Sequence, residues 1–163
     1  MFMRAKKLIF LFALLLVSYA CASPRSVKVG FFANSGYHEI LSNGQKSGYG
    51  YELLSEISRF DLNYEFVGYD KNWDDMLEML RKGEIDLVSS AQKKIKDGTP
   101  FDYSLPVGPD SNYIVVRKSD KVLLDEINYG IRQMDMVEPN WKNRLYLKYY
   151  GSENLAYSVF NER

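Results

Sequence analysis

The chain has 163 residues, and its 21 basic side chains balance its 21 acidic ones. That balance excludes the basic surface by which proteins hold nucleic acid, so no nucleic-acid partner is expected. A single cysteine (Cys21) and a single histidine (His38) also exclude a disulfide within the chain and a zinc site built from several such residues.

The first 22 residues have the order of a secretory signal peptide. Three basic residues come first, residues 8–17 are apolar and uncharged, and small residues follow. The alternative is an uncleaved membrane anchor, but the apolar run is shorter than the roughly 20 residues that span a bilayer. We therefore expect export to the periplasm or the extracellular space.

Two processing routes fit the end of this signal peptide. The triplet Ala20-Cys21-Ala22 suits cleavage before Ser23. Alternatively, Cys21 is the lipid-modified first residue of a lipoprotein and anchors the protein in a membrane. Removal of residues 1–22 leaves 141 of the 163 residues, and the loss of three basic residues gives a net charge of −3. One compact domain over residues 23–163 is expected.

The next segments alternate between strand and helix patterns. Residues 27–32 alternate apolar and polar side chains before becoming fully apolar, which predicts a strand. Residues 33–48 are rich in Asn, Ser and Gly and predict a loop. Apolar residues at helical spacing begin at Tyr49, and residues 63–67 predict a second strand.

The third predicted strand follows a helix with clear signals at both ends. Asn72 is a suitable N-cap, Asp74 and Asp75 favour the first turn, and Gly83 permits a left-handed stop. Residues 85–89 then predict a short buried strand. Alternating strands and helices predict an α/β fold, with a mostly parallel sheet flanked by helices.

The rest of the chain predicts one more strand and two closing helices. Residues 93–110 predict a polar loop, residues 113–117 a strand and residues 120–137 a helix. Pro139 is expected in the first turn of the last helix, which ends at Gly151. The apolar residues expected in the core are Leu53, Ile57, Met76, Leu77, Leu80, Ile85, Leu87, Ile127 and Leu145.

Three stretches carry a resemblance to a known family. They are GYGYELL at residues 48–54, WDDMLEMLRKGEIDLV at residues 73–88 (the most specific) and the two helices over residues 123–151. Together they resemble the family 3 extracellular solute-binding proteins, the amino-acid-binding components of ABC importers. The resemblance covers residues 27–151 and looks closest to the branch that also forms the outer part of membrane sensors. It implies a periplasmic-binding-protein-like fold of class II.

Two departures from the family pattern bear on function. A family member has two lobes around a ligand cleft, whereas here the strand at residues 113–117 runs directly into the closing helices. The second lobe is therefore expected to be absent. The family's amino-acid binders also place an Arg after the strand end to clamp the ligand carboxylate, but residues 92–97 read QKKIKD. Lys attracts a carboxylate without offering a bidentate fork.

The ligand site is expected beyond the carboxyl ends of the strands, where the loops of an open parallel sheet meet. The family resemblance indicates the same loops, with an aromatic wall, strand-end hydroxyl and backbone groups, and a positive charge. The expected ligand-binding residues are Phe32, Tyr37, Ser89, Ser90, Ala91, Gln92 and Lys94. The simpler roles are a core position for Phe32 and a solvated surface position for Lys94.

Binding rather than catalysis is expected. A few relatives of this fold are dehydratases or peptidoglycan-cleaving lyases, which need a carboxylic acid in a cleft that excludes water. Glu39 and Glu52 are the residues to consider, but one open lobe excludes water poorly. The expected function is binding of a small polar solute, an amino acid or related compound, for an ABC importer or a membrane sensor. No cofactor or metal is expected.

A second hypothesis comes from another class of function. The single lobe is then an interaction module, or a degenerate remnant that binds no ligand. A homodimer would separate the two hypotheses, because two lobes that face each other would rebuild a closed cleft.

Overall fold

The computed structural model of the protein describes residues 25–60, 62–92, 98–108 and 112–151. The predicted signal peptide, Cys21 and Lys94 lie outside these ranges. No helix within them is both long enough and apolar enough to cross a membrane.

Strands and helices alternate along the described chain much as their sequence patterns predict. The strands are β1 (Ser26–Gly30), β2 (Glu39–Ile40), β3 (Lys46–Ser47), β4 (Asn63–Val67), β5 (Leu87–Gln92), β6 (Phe101–Tyr103) and β7 (Asn112–Arg117). The helices are α1 (Tyr49–Ile57), α2 (Trp73–Lys82), α3 (Lys121–Val137) and α4 (Trp141–Tyr150).

The main sheet has five strands in the order β4-β1-β5-β7-β6. β4, β1 and β5 run parallel, as predicted, whereas β7 is antiparallel to both of its neighbours. A parallel neighbour needs a crossover of a dozen or more residues, and residues 104–111 are too few to carry one between β6 and β7. The α/β fold class is confirmed, and the sheet is mixed at one end.

The sheet buries a hydrophobic cluster on each face. On one face, Leu53 and Ile57 of α1 and Ile127 of α3 pack against the strands, together with Leu145 of α4. On the other face, α2 packs through a second cluster that includes Phe32, Met76, Leu80, Ile85, Val88 and Ala91. The result is three layers, with helices on both sides of one sheet.

The ends of α2 follow the signals in its sequence. The Asn72 side chain accepts a hydrogen bond from the backbone amide of Asp75 (3.0 Å), and the Asp75 carboxylate accepts one from the backbone amide of Asn72 (3.2 Å). This reciprocal pair is a capping box. Gly83 ends the helix at φ 80°, where a glycine avoids the steric penalty of a Cβ atom.

Three details differ from the sequence predictions. Leu77 is only half-buried, because α2 meets the sheet through Met76 and Leu80, and Leu77 lies beside that line. Pro139 precedes α4, whose N-cap is Asn140. The two segments predicted as loops contain the β2–β3 pair and β6. The other eight residues predicted for the core are buried.

Candidate functional site

β5 extends beyond its neighbour β1 at the carboxyl edge of the sheet. β1 ends at Gly30, whose partner is Val88, whereas β5 continues to Gln92. On its other side β5 stays paired with β7, with a register shift between Val88 and Ala91. A bulge of this kind bends the strand and re-aims its side chains. Residues 89–92 therefore run past the end of β1, beside the loop that follows it.

The loop after β1 is fixed by backbone hydrogen bonds. The Phe31 amide donates to the Val67 carbonyl (2.8 Å), which ties the start of the loop to the end of β4. The His38 amide donates to the Asn34 carbonyl (2.7 Å), which closes the turn. These bonds hold His38 over the carboxyl edge of the sheet.

His38 is fully buried at the centre of this edge. Its Nε2 atom lies 3.1 Å from the Ser89 hydroxyl, within hydrogen-bond distance. Its ring centroid lies 5.4 Å from that of Phe32 and 4.7 Å from that of Tyr37. His38 thus contacts three of the predicted ligand-binding residues, although no sequence pattern marks it for a role.

Two glycines in the GYGYELL stretch allow this packing. A Cβ atom on Gly48 would lie 2.3 Å from the Tyr37 carbonyl oxygen, and the residue has φ +108°, which favours glycine. A Cβ atom on Gly50 would lie 2.7 Å from His38 Nε2 and 2.2 Å from Tyr37 Cε1. The start of α1 can approach residues 37 and 38 only because both positions lack a side chain.

The His38–Ser89 pair is poorly suited to nucleophilic catalysis. Burial lowers the pKa of His38 to about 4, and a backbone interaction with Phe32 offsets only part of that effect. At neutral pH the imidazole is therefore uncharged and a weak base. No carboxylate of the described residues hydrogen-bonds Nδ1, so the third member of a Ser–His–acid triad has no counterpart there.

The two carboxylates considered for acid–base chemistry have other partners. Glu39 Oε1 accepts a hydrogen bond from the Gly36 amide (2.8 Å) within the loop. Glu52 Oε1 accepts one from Lys148 Nζ and one from the Tyr149 hydroxyl, both at 2.5 Å. Glu52 therefore links α1 to α4. In the part of the chain with assigned positions, no three His, Cys, Asp or Glu residues form a group that could hold a metal ion.

Of the seven predicted ligand-binding residues, the structure describes four in full, two by their backbone alone, and one not at all. Phe32, Tyr37, Ser89 and Ala91 lie at the carboxyl edge and are at most 8% exposed. Ser90 and Gln92 belong to β5, but their side chains lie outside the described part, as does all of Lys94. Ser89 faces His38 rather than solvent, so in this conformation its hydroxyl holds His38 in place and is not exposed to a ligand.

A separate open groove lies on the α1 side of the sheet, near β4. Its volume is about 640 Å³, and it is lined by Gly44, Gln45, Lys46, Tyr51, Tyr64 and Phe66. None of the predicted ligand-binding residues lines it.

The family of the chain follows from its sequence as well as from this architecture. Residues 27–152 match the model of the bacterial extracellular solute-binding proteins, family 3. The chain belongs to this family, whose members bind solutes outside the cytoplasm. No curated protein sequence matches the chain significantly.

Solved structures with the same fold include amino-acid-binding proteins. Domain 1 of TmArgBP, in its arginine-bound form, has 24% identity and a TM-score of 0.55, over 66% of this chain and 92% of that domain. A His/Glu/Gln/Arg/opine family-binding protein of Silicibacter pomeroyi, in complex with lysine, has 14% identity and a TM-score of 0.67, over 78% of this chain and 98% of that one.

A third similar structure is related to an enzyme. It is the ancestral amino acid-binding protein AncCDT-1, described as a precursor of cyclohexadienyl dehydratase. It has 16% identity and a TM-score of 0.64, over 77% of this chain and 95% of that one. At these identities the likeness establishes the fold, which is one lobe of a class II periplasmic binding protein.

Proposed function

We propose that this lobe binds an amino acid or a related small polar compound, without catalysing its conversion, at the carboxyl edge of its sheet. The observation that carries the proposal is the buried contact between His38 and Ser89, which joins the loop after β1 to the end of β5. Ligands of open α/β sheets bind where such loops meet. The family is one of solute-binding proteins, and similar structures hold arginine or lysine.

The end of β5 supplies the polar groups in this proposal. Residues 89–92 have no strand pairing with β1, and in this proposal their backbone groups on that side hydrogen-bond the ligand. Backbone N–H and C=O groups suit the carboxylate and the amine of an amino acid. Lys94 would add a positive charge for the carboxylate, in place of the Arg of related binders.

Phe32 and Tyr37 would provide the apolar part of the site. Both are nearly buried here and surround His38, with Phe32 also against Trp73 at a centroid distance of 5.7 Å. Binding through their ring faces therefore requires a side-chain movement at the edge. In this proposal Ser89 is a positioning residue, because its hydroxyl holds His38.

Processing and delivery complete the proposal. We expect residues 1–22 to direct export, with cleavage before Ser23 or lipid attachment at Cys21. The bound solute would be passed to an ABC permease or signalled through a membrane sensor. The low exposure of Phe32, Tyr37 and Ser89 favours one alternative, an interaction module without a ligand.

A thermal-shift screen of the exported protein tests the proposal. Amino acids should raise the melting temperature and sugars should leave it unchanged, because a ligand that binds only the folded state stabilises it. At about 10 mM ligand and a dissociation constant of about 1 mM, the gain is about 1.4 kcal/mol, or roughly 4 °C. Equal melting temperatures with every amino acid would favour the interaction module.

A matched pair of lysine variants locates the binding. Lys94→Ala should weaken amino-acid binding several-fold, because the carboxylate loses its nearby positive charge. Lys118→Ala removes an exposed lysine after β7, at the opposite end of the sheet, and should leave binding unchanged. Equal binding by both variants would remove Lys94 from the site.

A further inference from the structure

A row of exposed side chains runs along α3, opposite its buried face. Val122, Tyr129 and Met136 recur every seven residues and are 63%, 50% and 67% exposed. Asp125 and Arg132 lie between them and are also exposed. We call these five residues the α3 stripe. At about 100° per residue they share an arc of about 80°, and they extend along about 21 Å of helix.

The stripe is not an extension of the core. α3 packs against the sheet through Leu123, Ile127, Ile131 and Met134, which are fully or almost fully buried. On the helical projection these residues point away from the stripe. Helices that pack against one another carry inward-facing residues at the first and fourth positions of each heptad. Here Val122, Tyr129 and Met136 take the first position, and the charged Asp125 and Arg132 take the fourth.

The charges of the stripe favour antiparallel packing against α3 of a second copy. Asp125 precedes Tyr129 by four residues, and Arg132 follows it by three. Neither Asp125 nor Arg132 forms an ion pair or side-chain hydrogen bond within the described part of the chain. In a parallel pair Asp125 would face Asp125. In an antiparallel pair centred on Tyr129, Asp125 of each copy lies near Arg132 of the other.

The apolar residues fit the same arrangement. With Tyr129 packed against Tyr129 on a two-fold axis, Val122 of one copy lies opposite Met136 of the other. Each apolar position of the stripe thereby meets an apolar position of the second copy, and each charged position meets the opposite charge. The same surface serves on both copies, which is the property of an isologous interface.

We propose that the α3 stripe is the interface of a homodimer, in which two copies pack α3 antiparallel about a two-fold axis at Tyr129. The interface lies on the outer face of a helix layer, so it leaves the carboxyl edge of each sheet free and does not depend on solute binding. One helix pair lies at the low end of specific interface areas, so the dimer should dissociate in the micromolar range or above.

Sedimentation equilibrium of the exported protein tests for the dimer. A reversible monomer–dimer equilibrium is expected, and a protein that stays monomeric up to about 1 mM would refute the proposal. Tyr129→Glu places two carboxylates at the axis and should weaken the dimer at least about tenfold. Lys118→Glu changes an exposed charge outside the stripe and should not. A dimer that survives Tyr129→Glu would place the interface elsewhere.

Folding must be verified for Tyr129→Glu, because the Tyr129 ring contacts Phe60 at a centroid distance of 6.3 Å. A melting temperature close to that of the unaltered protein makes its result valid. A charge swap gives an independent measurement. Arg132→Asp alone should weaken the dimer, and Asp125→Arg combined with Arg132→Asp should restore it. A double variant as weak as the single one would contradict the antiparallel pairing.

Cysteine variants distinguish the direction of the helices. Tyr129→Cys should form a disulfide-linked dimer under mild oxidation, because the two thiols meet at the axis. Val122→Cys should cross-link only when mixed with Met136→Cys. Self-linking of Val122→Cys as fast as that of Tyr129→Cys would indicate a parallel pair and refute the proposal. A monomer whose Tyr129 is protected from chemical labelling would show instead that the same chain covers the stripe.

Discussion

His38 Nε2 and the Ser89 hydroxyl lie 3.1 Å apart, although 51 positions separate the two residues in the chain. The contact is buried and brings the loop after β1 onto the end of β5. Because His38 is buried, a positive charge on its imidazole would be buried as well. The protonation state of His38 therefore affects the stability of the fold.

Acid should destabilise the fold before most carboxylates titrate. In the unfolded chain the pKa of His38 is about 6.5, whereas in the folded protein burial lowers it to about 4. Between these values the unfolded state binds more protons, so the free energy of unfolding falls as pH decreases from about 6.5 to about 4. The total loss is about 3 kcal/mol, of which about 2 kcal/mol appears between pH 7.5 and pH 5.

Urea unfolding at these two pH values measures that loss. His38→Gln removes the titrating group and should make stability nearly constant over the same interval. Because His38 is the only histidine, a single imidazole signal in the NMR spectrum reports its pKa directly. Purification without a histidine tag keeps that signal unique, and a pKa near 6.5 in the folded protein would contradict the buried position.

Gly50→Ala should be costly because of contact rather than backbone strain. The added methyl group would lie 2.2 Å from Tyr37 Cε1 and 2.7 Å from His38 Nε2. We expect a loss of about 1–3 kcal/mol in the free energy of unfolding, as for other overpacked sites. The control is Gly44→Ala, which meets no atom within 4 Å but has φ +82° and should cost about 1 kcal/mol. A Gly50→Ala protein as stable as the unaltered one would contradict the contact at Gly50.

Two leucines on α2 provide a matched test of the core. Leu80 is fully buried, whereas the adjacent Leu77 is half-buried. Leu80→Ala should lower the free energy of unfolding by about 2–5 kcal/mol, and Leu77→Ala by clearly less. Denaturant titration of both variants measures the difference. A larger loss at Leu77 would mean that α2 is rotated on the sheet.

Ser89→Ala should act on stability more than on a direct ligand contact. The substitution removes the hydrogen-bond partner of His38 Nε2, and an unsatisfied buried group costs about 1–3 kcal/mol. Calorimetry with the best amino acid from the screen should show a smaller change in affinity than Lys94→Ala causes. A strong loss of affinity in a fully stable Ser89→Ala protein would instead assign the hydroxyl to the ligand.

Affinity should be low in a single lobe. Ligand pockets bury about 70–90% of a ligand, and one lobe supplies only part of that surface while the ligand still loses its translational freedom. A dissociation constant of about 1 mM, equivalent to roughly −4 kcal/mol, is expected for a proven monomer. Micromolar binding by that monomer would show that the single lobe encloses its ligand.

Local sequence signals predicted α2 closely, because its N-cap Asn72 and its stop at Gly83 depend only on neighbouring residues. The sequence predicts a loop where β6 lies, because three residues are too few to show an alternation of apolar and polar side chains. The pairing of β6 with β7 depends on the fold and not on local sequence. The buried role of His38 depends on Ser89, far away in the chain. The sequence therefore indicated which edge of the sheet to consider but not the contact at its centre.

α2 covers its face of the sheet alone, as far as the described residues extend, whereas α1, α3 and α4 share the other face. A cluster closed by one ten-residue helix should open at a lower free energy than the whole fold. The backbone amides of α2 should therefore exchange with deuterium sooner than those of β1 and β5. Each such opening would uncover Phe32 and Ala91, which share that cluster with Met76 and Leu80 of α2.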